Sequence, residues 1–408
     1  MEETRKVIPD QNEETAKSRV DTFILDIGVN EKLKPKGASK NKIKSMFISS
    51  RDATAEFNAK RPLLLYSFKR IFFSLITLVL AISIIFLLLV MVTPDTTYVS
   101  DLTDKSPIKP GTNEYFQLIE NRKKSVGLTG SAFTQIWNYF YNVLPFFEKK
   151  IPILDINTGN PSGDFIETRV FFGVVFTNSF GQPFITNVGS LFAKAIPISF
   201  MFGFTALTLT YLIGIPLGIT AARYKGKWID NLLNGSSATL ICVPPLVIVM
   251  LLFIFFSKLL GVSTIYTPGN VGTFLAPVFV IVIMYIPTVI VETRRYIVDE
   301  MTSDYTKFAE SKGMKPSRVF YVHIFRNAGI RIIRTIPVAL IATLFGSSIF
   351  TEQQWSIPGM SRFIVGGVGQ REIFVVLGYI SIASFMGIIT SLISDLIMAI
   401  MDPRVKLT

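Results

Sequence analysis

The feature that most constrains this chain is an uncharged apolar run at 71–92. The hydrocarbon core of a bilayer requires about 20 consecutive apolar residues in a helix, and this run supplies them. Lys60, Arg61, Lys69 and Arg70 stand just before it. Because Lys and Arg are enriched in short cytoplasmic flanks, these residues predict that the run begins on the cytoplasmic side. The chain is therefore predicted to be a membrane protein.

Further apolar segments of candidate spans lie at about 196–220, 236–256, 274–291, 335–350 and 373–401. The loop at 223–227 and the pair Arg294 and Arg295 are basic, which places both on the cytoplasmic side. The loop at 257–272 carries a single lysine and suits the outside. The sequence thus predicts an all-α polytopic membrane fold of six transmembrane helices with both termini in the cytoplasm.

Composition supports a membrane protein. Half of the 408 residues are hydrophobic, 35 are Phe, and the mean hydropathy is +0.46, above the usual range for soluble domains. The net charge of +12 would suggest nucleic acid as a partner of a soluble protein. Here most basic residues flank apolar runs and are expected to set topology, so no nucleic acid partner is expected. A single cysteine, Cys242, and a single histidine, His323, exclude a disulfide framework and a multi-His or Cys-cluster metal site.

The chain divides by composition into four parts. Residues 1–60 are polar and are expected to form a cytoplasmic N-terminal extension that is partly disordered. The lysine-rich patch at 32–44 could contact anionic lipid or RNA, but a solvated extension is the favoured interpretation. Residues 61–92 form the first transmembrane helix. Residues 93–188 mix both charges with prolines and aromatic residues and are predicted to form an extracytoplasmic domain inserted between helices 1 and 2. Residues 189–408 form a core of five helices. The aromatic residues of this region are favoured as the inserted domain's own core over a ligand platform; they are Trp137, Tyr139, Phe140 and Tyr141.

The stretch 301–328 is the long, highly charged segment between apolar runs in the C-terminal half. Ser303 suits a helix N-cap and Asp304 suits the first turn, where the helix dipole favours negative charge. Gly313 suits the C′ position, where a left-handed conformation is common. Pro316 suits the first position of a second helix. The stretch predicts two short helices hinged at a glycine, the second with an apolar stripe of Val319, Phe320, Val322 and Ile324.

Several motifs in the C-terminal half carry a resemblance to a known family. Ala309, Gly313 and the run 323–328 (His-Ile-Phe-Arg-Asn-Ala) resemble the cytoplasmic coupling loop of binding-protein-dependent ABC importer permeases. The runs 355–360 (Trp-Ser-Ile-Pro-Gly-Met) and 401–404 (Met-Asp-Pro-Arg) are similar to the oligopeptide and dipeptide branch of that family. As a set, the motifs most resemble the B-type oligopeptide permease subunit.

The resemblance implies the ABC importer type I permease fold. It implies a channel-forming subunit of an ATP-driven oligopeptide importer in a bacterial plasma membrane, with alternating access driven through the coupling loop 301–328. The implied partners are a homologous C-type permease, two ATP-binding subunits, an extracytoplasmic substrate-binding protein, the peptide substrate and membrane lipid. The residues expected to couple to an ATPase subunit are Tyr305, Lys307, Phe308, Ala309, Lys312, Gly313, Met314, Arg318, Phe320 and His323.

Catalytic chemistry is not expected in this chain. It has no Gly-x-x-x-x-Gly-Lys-Ser/Thr phosphate loop, so ATP and Mg would be used by partner subunits. A Ser/His/Asp grouping cannot be built around a histidine in the coupling loop. We therefore expect no catalytic, cofactor-binding or metal-binding residues in this chain.

Alternatives remain open from the sequence. The cargo of this branch includes dipeptides and nickel complexes as well as oligopeptides. A secondary transporter or channel would show buried ionisable residues or discontinuous repeats, and a membrane scaffold would use the N-terminal extension and the insert as interaction domains. Prolines within the spans favour helices bent around a cavity and ordinary kinks about equally. These are Pro197, Pro216, Pro244, Pro245, Pro277, Pro287 and Pro337.

Asp395 is a carboxylate inside the sixth span, about 10 Å along the helix from Asp402. An unpaired charge at that depth costs about 2 kcal/mol or more, so a partner or water is expected. Arg331 and Arg334, at the start of span five, are the nearest candidates by depth. Such a pair would tie span six to the helix that leaves the coupling loop. The alternative is that Asp395 faces headgroup water.

Overall fold

Long apolar runs form long helices in the computed structural model, which describes residues 62–102, 106–155, 161–177, 179–181 and 184–401. The predicted N-terminal extension and Asp402 lie outside the described residues. The N-terminal half of the described chain contains α1 (Pro62–Val92), α2 (Asn113–Ser125), α3 (Ala132–Val143), β1 (Lys149–Leu154) and β2 (Pro161–Thr168). The two strands form an antiparallel ribbon that the all-α prediction did not include.

The C-terminal half is helical throughout its described elements. It begins with α4 (Val188–Arg223), α5 (Trp228–Cys242), α6 (Pro245–Ile254), which continues as a π-helical turn at Phe255–Leu259, and α7 (Val271–Met301). Next come α8 (Asp304–Ser311), α9 (Pro316–Arg318), a π-helical turn at Val319–Phe325, α10 (Arg326–Ala342) and a second π-helical turn at Thr343–Ser347. The chain continues through α11 (Ser348–Gln354), α12 (Ser361–Gly369) and α13 (Ile373–Met401).

Within the described residues, five helices are long and apolar enough to cross a membrane, and a bent pair raises the number to six. The five are α1, α4, α7, α13 and the composite helix Pro316–Gln354. The polytopic helical class predicted from the sequence is therefore confirmed. The fifth span begins about 19 positions earlier than predicted, because the helix entering it is continuous with the end of segment 301–328.

The predicted third span is the bent pair. Helices α5 and α6 meet at an angle of 102°, between Cys242 and Pro245. Pro244 and Pro245 lack the N–H groups that a continuous helix would use, and Pro245 instead begins the first turn of α6. The paired prolines thus break the span.

Among the described residues between α1 and α4, the buried hydrophobic side chains belong to the same cluster as residues of the spans. One buried cluster contains Phe86 of α1, Leu118 of α2, Tyr139 of α3 and Phe374 of α13. Tyr139 packs 5.8 Å from the Phe86 ring centroid and its hydroxyl lies 2.9 Å from Ser381 Oγ in α13. The predicted independent aromatic core is therefore wrong: Tyr139 is buried against spanning helices.

The other aromatic residues of α3 differ in burial. Phe140 is half-buried beside the same cluster, whereas Trp137 is 64% exposed and Tyr141 is also exposed. Helical periodicity explains the division, because positions 137 and 141 lie one turn apart on the face opposite Tyr139. Helix α3 therefore has an apolar face on both sides.

Candidate functional site

The first half of segment 301–328 is the helix predicted from its end signals. Helix α8 begins after Ser303, but the Ser303 hydroxyl donates to the Glu300 carbonyl at 2.7 Å and does not cap a free N–H of α8. Gly313 has a φ of 71°, which confirms the predicted left-handed conformation. Its N–H donates to the Glu310 carbonyl at 2.9 Å, and the next N–H donates to the Ala309 carbonyl at 3.4 Å. These two bonds form a Schellman motif that ends α8.

The second half differs from the predicted helix. Helix α9 has only three residues and passes into a π-helical turn at Val319–Phe325. Val319 and Ile324 are buried, whereas Val322 is exposed. The wider π turn changes which positions share a face, so the stripe predicted at α-helical spacing is split between the two sides.

One side of the segment packs against the ends of two spans. Ala309, Val319 and Ile324 form a buried cluster with Ala222 of α4 and Ile297 of α7. Ala309 is 4% exposed, so it anchors the segment and does not present a contact surface, contrary to the prediction. Met314 and Phe320 are partly buried against the same cluster.

The opposite side of the segment exposes aromatic and basic side chains. Phe308 is 61% exposed, and the Lys312 ammonium lies 4.4 Å from its ring centroid. Tyr321 is 65% exposed. Lys307 forms an exposed pair with Asp304 at 3.4 Å, and Arg318 is also exposed. Tyr321 was missed from the sequence because its exposure depends on the π turn.

Tyr305 and His323 point into the molecule. Both line a cavity, and Asn327 Nδ2 donates to the Tyr305 hydroxyl at 2.9 Å and to the His323 carbonyl at 3.0 Å. Among the predicted coupling residues, these two therefore lie on the inner face, while Phe308, Lys307, Lys312 and Arg318 lie outside.

The cavity has a volume of about 1300 Å³ and is lined by residues of α1, α4, α7, α10, α13 and segment 301–328. Hydroxyl groups of Thr210, Tyr211, Thr288 and Thr335 are among its lining groups. Among the described lining residues the charges balance: Arg70, Arg326, Arg331 and Arg334 face Glu292, Asp299, Glu300 and Asp395. The cavity is therefore ionic yet close to neutral overall.

Asp395 is held by basic residues from two helices. Arg334 of α10 lies 3.8 Å from its carboxylate, and Arg70 of α1 also pairs with it. Arg70 additionally donates to Ser391 Oγ at 2.7 Å. The sequence interpretation missed Arg70, although its position directly before the first apolar run placed it at a comparable depth.

Arg331, the other predicted partner of Asp395, forms different pairs. Its guanidinium lies 3.4 Å from Asp299 and 3.1 Å from Glu300, both at the end of α7. Arg331 therefore ties α10 to α7, while Arg334 ties α10 to α13.

A buried carboxylate at the other end of the spans was also missed. Glu352 of α11 is 1% exposed and accepts hydrogen bonds from Ser199 Oγ of α4 at 2.6 Å and from the Ser361 N–H of α12 at 2.9 Å. Gly359 lies so close that a Cβ there would meet the Glu352 carboxylate at 2.3 Å. The run 355–360, which contains Gly359, was the sequence signal for this site. In the sequence it was recognised only as a family motif and was not connected with Glu352.

Comparisons with known proteins identify a matching family model and similar permease proteins. The family model described as the binding-protein-dependent transport system inner membrane component matches residues 214–407. The peptidoglycan transport system permease protein YejB of Agrobacterium fabrum is 31% identical over 245 residues, which cover 55% of this chain and 67% of that protein. The oligopeptide transport system permease protein AmiC of Streptococcus pneumoniae serotype 4 is 30% identical over 214 residues.

The alignments differ in extent. The AmiC match covers 50% of this chain and 42% of the AmiC sequence. Among solved structures, an inward-facing MetNI methionine ABC transporter is similar with a TM-score of 0.45 and 12% identity, covering 52% of this chain and 97% of that one.

Proposed function

Because the chain belongs to the family of binding-protein-dependent transport system inner membrane components, we propose that it is the membrane-spanning subunit of an ATP-driven peptide importer. In this proposal segment 301–328 transmits movement from an ATP-binding partner to the spans. The supporting observation is that the segment has two sides. Its buried side is packed against α4 and α7, and its outer side presents Phe308 and Tyr321 among basic residues.

The packing favours transmission as a rigid body. The cluster around Ala309 joins the segment to Ala222 at the end of α4 and to Ile297 near the end of α7. Close-packed interiors do not deform continuously, so a displacement of the outer side would carry both helix ends with it. The exposed aromatic rings would fill an apolar groove on the partner, and Lys307, Lys312 and Arg318 would orient the contact against acidic groups.

The ionic cavity suits a peptide route. A peptide carries an amine and a carboxylate, and the lining supplies both carboxylates and guanidinium groups at neutral overall charge. Because neither sign dominates, a zwitterion would be accommodated without strong retention of either end. AmiC and YejB are named for oligopeptide and peptidoglycan transport, and the cargo proposed for this chain is an oligopeptide.

The proposed assembly contains this chain, a second permease subunit, two ATP-binding subunits and an extracytoplasmic binding protein. Both termini and segment 301–328 lie in the cytoplasm in this proposal, in keeping with the basic loops of the sequence. ATP hydrolysis belongs to the partner subunits. The chain's own contribution is to change which side of the cavity is open.

Cysteine crosslinking tests the contact with an ATP-binding subunit. In a Cys242→Ser background, Phe308→Cys and Tyr321→Cys are expected to crosslink to cysteines placed on a co-expressed ATP-binding subunit, with yields that change when ATP is added. Lys150→Cys is the matched control, because it is exposed on β1, far along the chain from the segment. It should give no crosslink.

A different result would favour another class of function. If neither position crosslinks across several sites on the ATP-binding subunit, and the chain purifies without such a subunit, the channel or scaffold alternatives gain. Crosslinks that form equally with and without ATP would support assembly but contradict the role in transmission.

A further inference from the structure

Helix α3 in the region between the first two spans has an exposed apolar face. Ser131 caps the helix, with the Thr134 N–H donating to Ser131 Oγ at 3.3 Å. Phe133 and Trp137 are 77% and 64% exposed, and Tyr141 continues the same face one turn later. No residue of α3 carries a charge. Two rings that follow the helix, Phe146 and Phe147, are exposed as well and extend this surface.

The depth of α3 follows from its contacts with the spans. Arg70 directly precedes the apolar run of α1 and therefore marks one membrane boundary, and its pair with Asp395 sets the level of α13 relative to α1. Phe86 lies about 24 Å along α1 from Arg70, and Ser381 lies about 21 Å along α13 from Asp395. A hydrocarbon core is about 30 Å thick. Tyr139, which contacts both residues, therefore lies about 6 to 9 Å inside the opposite boundary.

The end of α3 is adapted to a site with little water. The Lys149 ammonium donates to the carbonyls of Asn142 at 2.9 Å and Leu144 at 2.5 Å, the groups that a helix end leaves without intrahelical partners. A third bond joins Lys149 to the Arg169 carbonyl at 2.6 Å. Lys149 is itself 4% exposed. Carbonyl groups without hydrogen-bond partners are unfavourable in hydrocarbon, so this arrangement permits the helix end to approach acyl chains.

We propose that α3 lies in the membrane leaflet opposite segment 301–328, with Phe133, Trp137 and Tyr141 in contact with phospholipid. Under the proposed orientation this is the outer leaflet. The helix is then an interfacial element held against the flanks of α1 and α13, and it widens the lipid-facing surface of the protein. The exposed face continues the lipid-exposed surface of α1, where Ile84 and Leu88 are also exposed at neighbouring depth.

The chemistry of the face identifies its occupant. Trp and Tyr favour the boundary between acyl chains and headgroups, where the ring is in an apolar region and its polar atom remains near water. Exposed charged pairs, Arg169 with Glu148 and Lys150 with Glu167, lie in or beside the ribbon that follows α3, whereas α3 itself carries no charge. A docking surface for a binding protein would have to lie outside the hydrocarbon boundary, and Tyr139 places α3 within it.

Spin-label accessibility tests the proposal on the full chain. Phe133→Cys, Trp137→Cys and Tyr141→Cys, each in the Cys242→Ser background, are labelled with a nitroxide and reconstituted in vesicles of phosphatidylcholine and phosphatidylglycerol. Collisions with oxygen, which concentrates in lipid, are compared with collisions with a water-soluble nickel chelate. Leu88→Cys on α1 is the lipid control, and Lys150→Cys on β1 is the water control.

The expected result is an oxygen-to-nickel ratio several-fold above that of Lys150→Cys at all three positions, approaching that of Leu88→Cys. A ratio like that of the water control would overturn the proposal in favour of an aqueous surface. Low access to both reagents would overturn it in favour of a protein partner covering α3. The measurement is made on the chain alone and again after assembly with ATP-binding subunits, so that failure of the importer proposal does not affect the result on the chain alone.

Discussion

Segment 301–328 and helix α3 both pack one side against the spans and expose aromatic rings on the other, yet their surroundings differ. Phe308 and Tyr321 lie on a segment rich in lysine and arginine, with Lys312 directly against the Phe308 ring. Trp137 lies on a helix without any charge. Exposure of an aromatic ring does not by itself identify what covers it. The neighbouring charges and the depth along the spans separate a protein contact from a lipid contact.

The largest effect is expected at a buried ion pair within the insert. Arg122 of α2 is fully buried and binds Asp101 through both terminal nitrogens, at 2.7 and 2.9 Å, and the Tyr98 carbonyl at 2.8 Å. Arg122→Leu leaves a carboxylate without its partner, and we expect a loss of about 3 to 5 kcal/mol in the free energy of unfolding. Thermal unfolding in detergent measures it.

The neighbouring lysine supplies the control for that loss. Lys123 pairs with Asp95, whose side chain is largely exposed. Lys123→Leu should therefore cost less than about 1 kcal/mol. Because the insert shares its core with α1 and α13, Arg122→Leu should lower the unfolding temperature of the whole chain in one transition. A separate early transition would show that the insert unfolds independently of the spans.

The two regions also differ in how far the sequence predicted them. Segment 301–328 contains local signals, and a glycine before a new helix start is enough to predict the positive φ of Gly313. The apolar length of each span is likewise a local property. The faces of α3 depend on its packing against α1 and α13, distant in sequence, so the run of aromatic residues in α3 predicted a core and missed the exposure of Trp137.

The same limit applies to the candidate site. Asp395 was predicted to need a partner because charge burial is costly wherever it occurs. Its partner on α1 comes from the other end of the chain, and helix periodicity carries no information on that contact. The π-helical turn at Val319–Phe325 has no such local signal either, so Val322 was assigned to the apolar stripe although its side chain is exposed.

A glycine substitution in the segment should affect transmission more than stability. Gly313 has a positive φ, and the space that a Cβ would occupy there is open, so the cost of Gly313→Val is conformational, at about 1 to 2 kcal/mol or more. We expect substrate-stimulated ATPase activity and uptake to fall together while the chain still accumulates in the membrane. Gly313→Asn is the control, because asparagine tolerates the left-handed region. Normal uptake by Gly313→Val would show that the end of α8 is not needed for transmission.

A double-mutant cycle tests the pairing of Asp395. Asp395→Ala should cost about 1 to 3 kcal/mol in the free energy of unfolding, because Arg70 and Arg334 lose a shared partner. In the Asp395→Ala background, Arg70→Ala should cost about 1 kcal/mol less than it costs in the unchanged chain. Arg331→Ala is the matched control. Because Arg331 pairs with Asp299 and Glu300, the effect of Arg331→Ala should add to that of Asp395→Ala. Additive losses with Arg70→Ala as well would contradict the pair.

The smallest effect concerns Glu372, just before α13, where the insert meets the sixth span. Burial raises the pKa of this carboxyl above its ordinary 4.5, although the Phe176 N–H donates to it at 3.1 Å. A raised pKa means that the folded chain favours the protonated form. The resulting stabilisation is present below pH 4.5 and is lost as the pH rises through the pKa of the folded state. The side chain of Glu372→Gln stays neutral at every pH. As the pH rises from 4.5 to neutrality, the unfolding temperature of this variant should therefore fall less than that of the unchanged chain. Glu167→Gln, on the exposed ribbon, should leave that dependence unchanged, and equal pH profiles for all three chains would show that Glu372 is not protonated on folding.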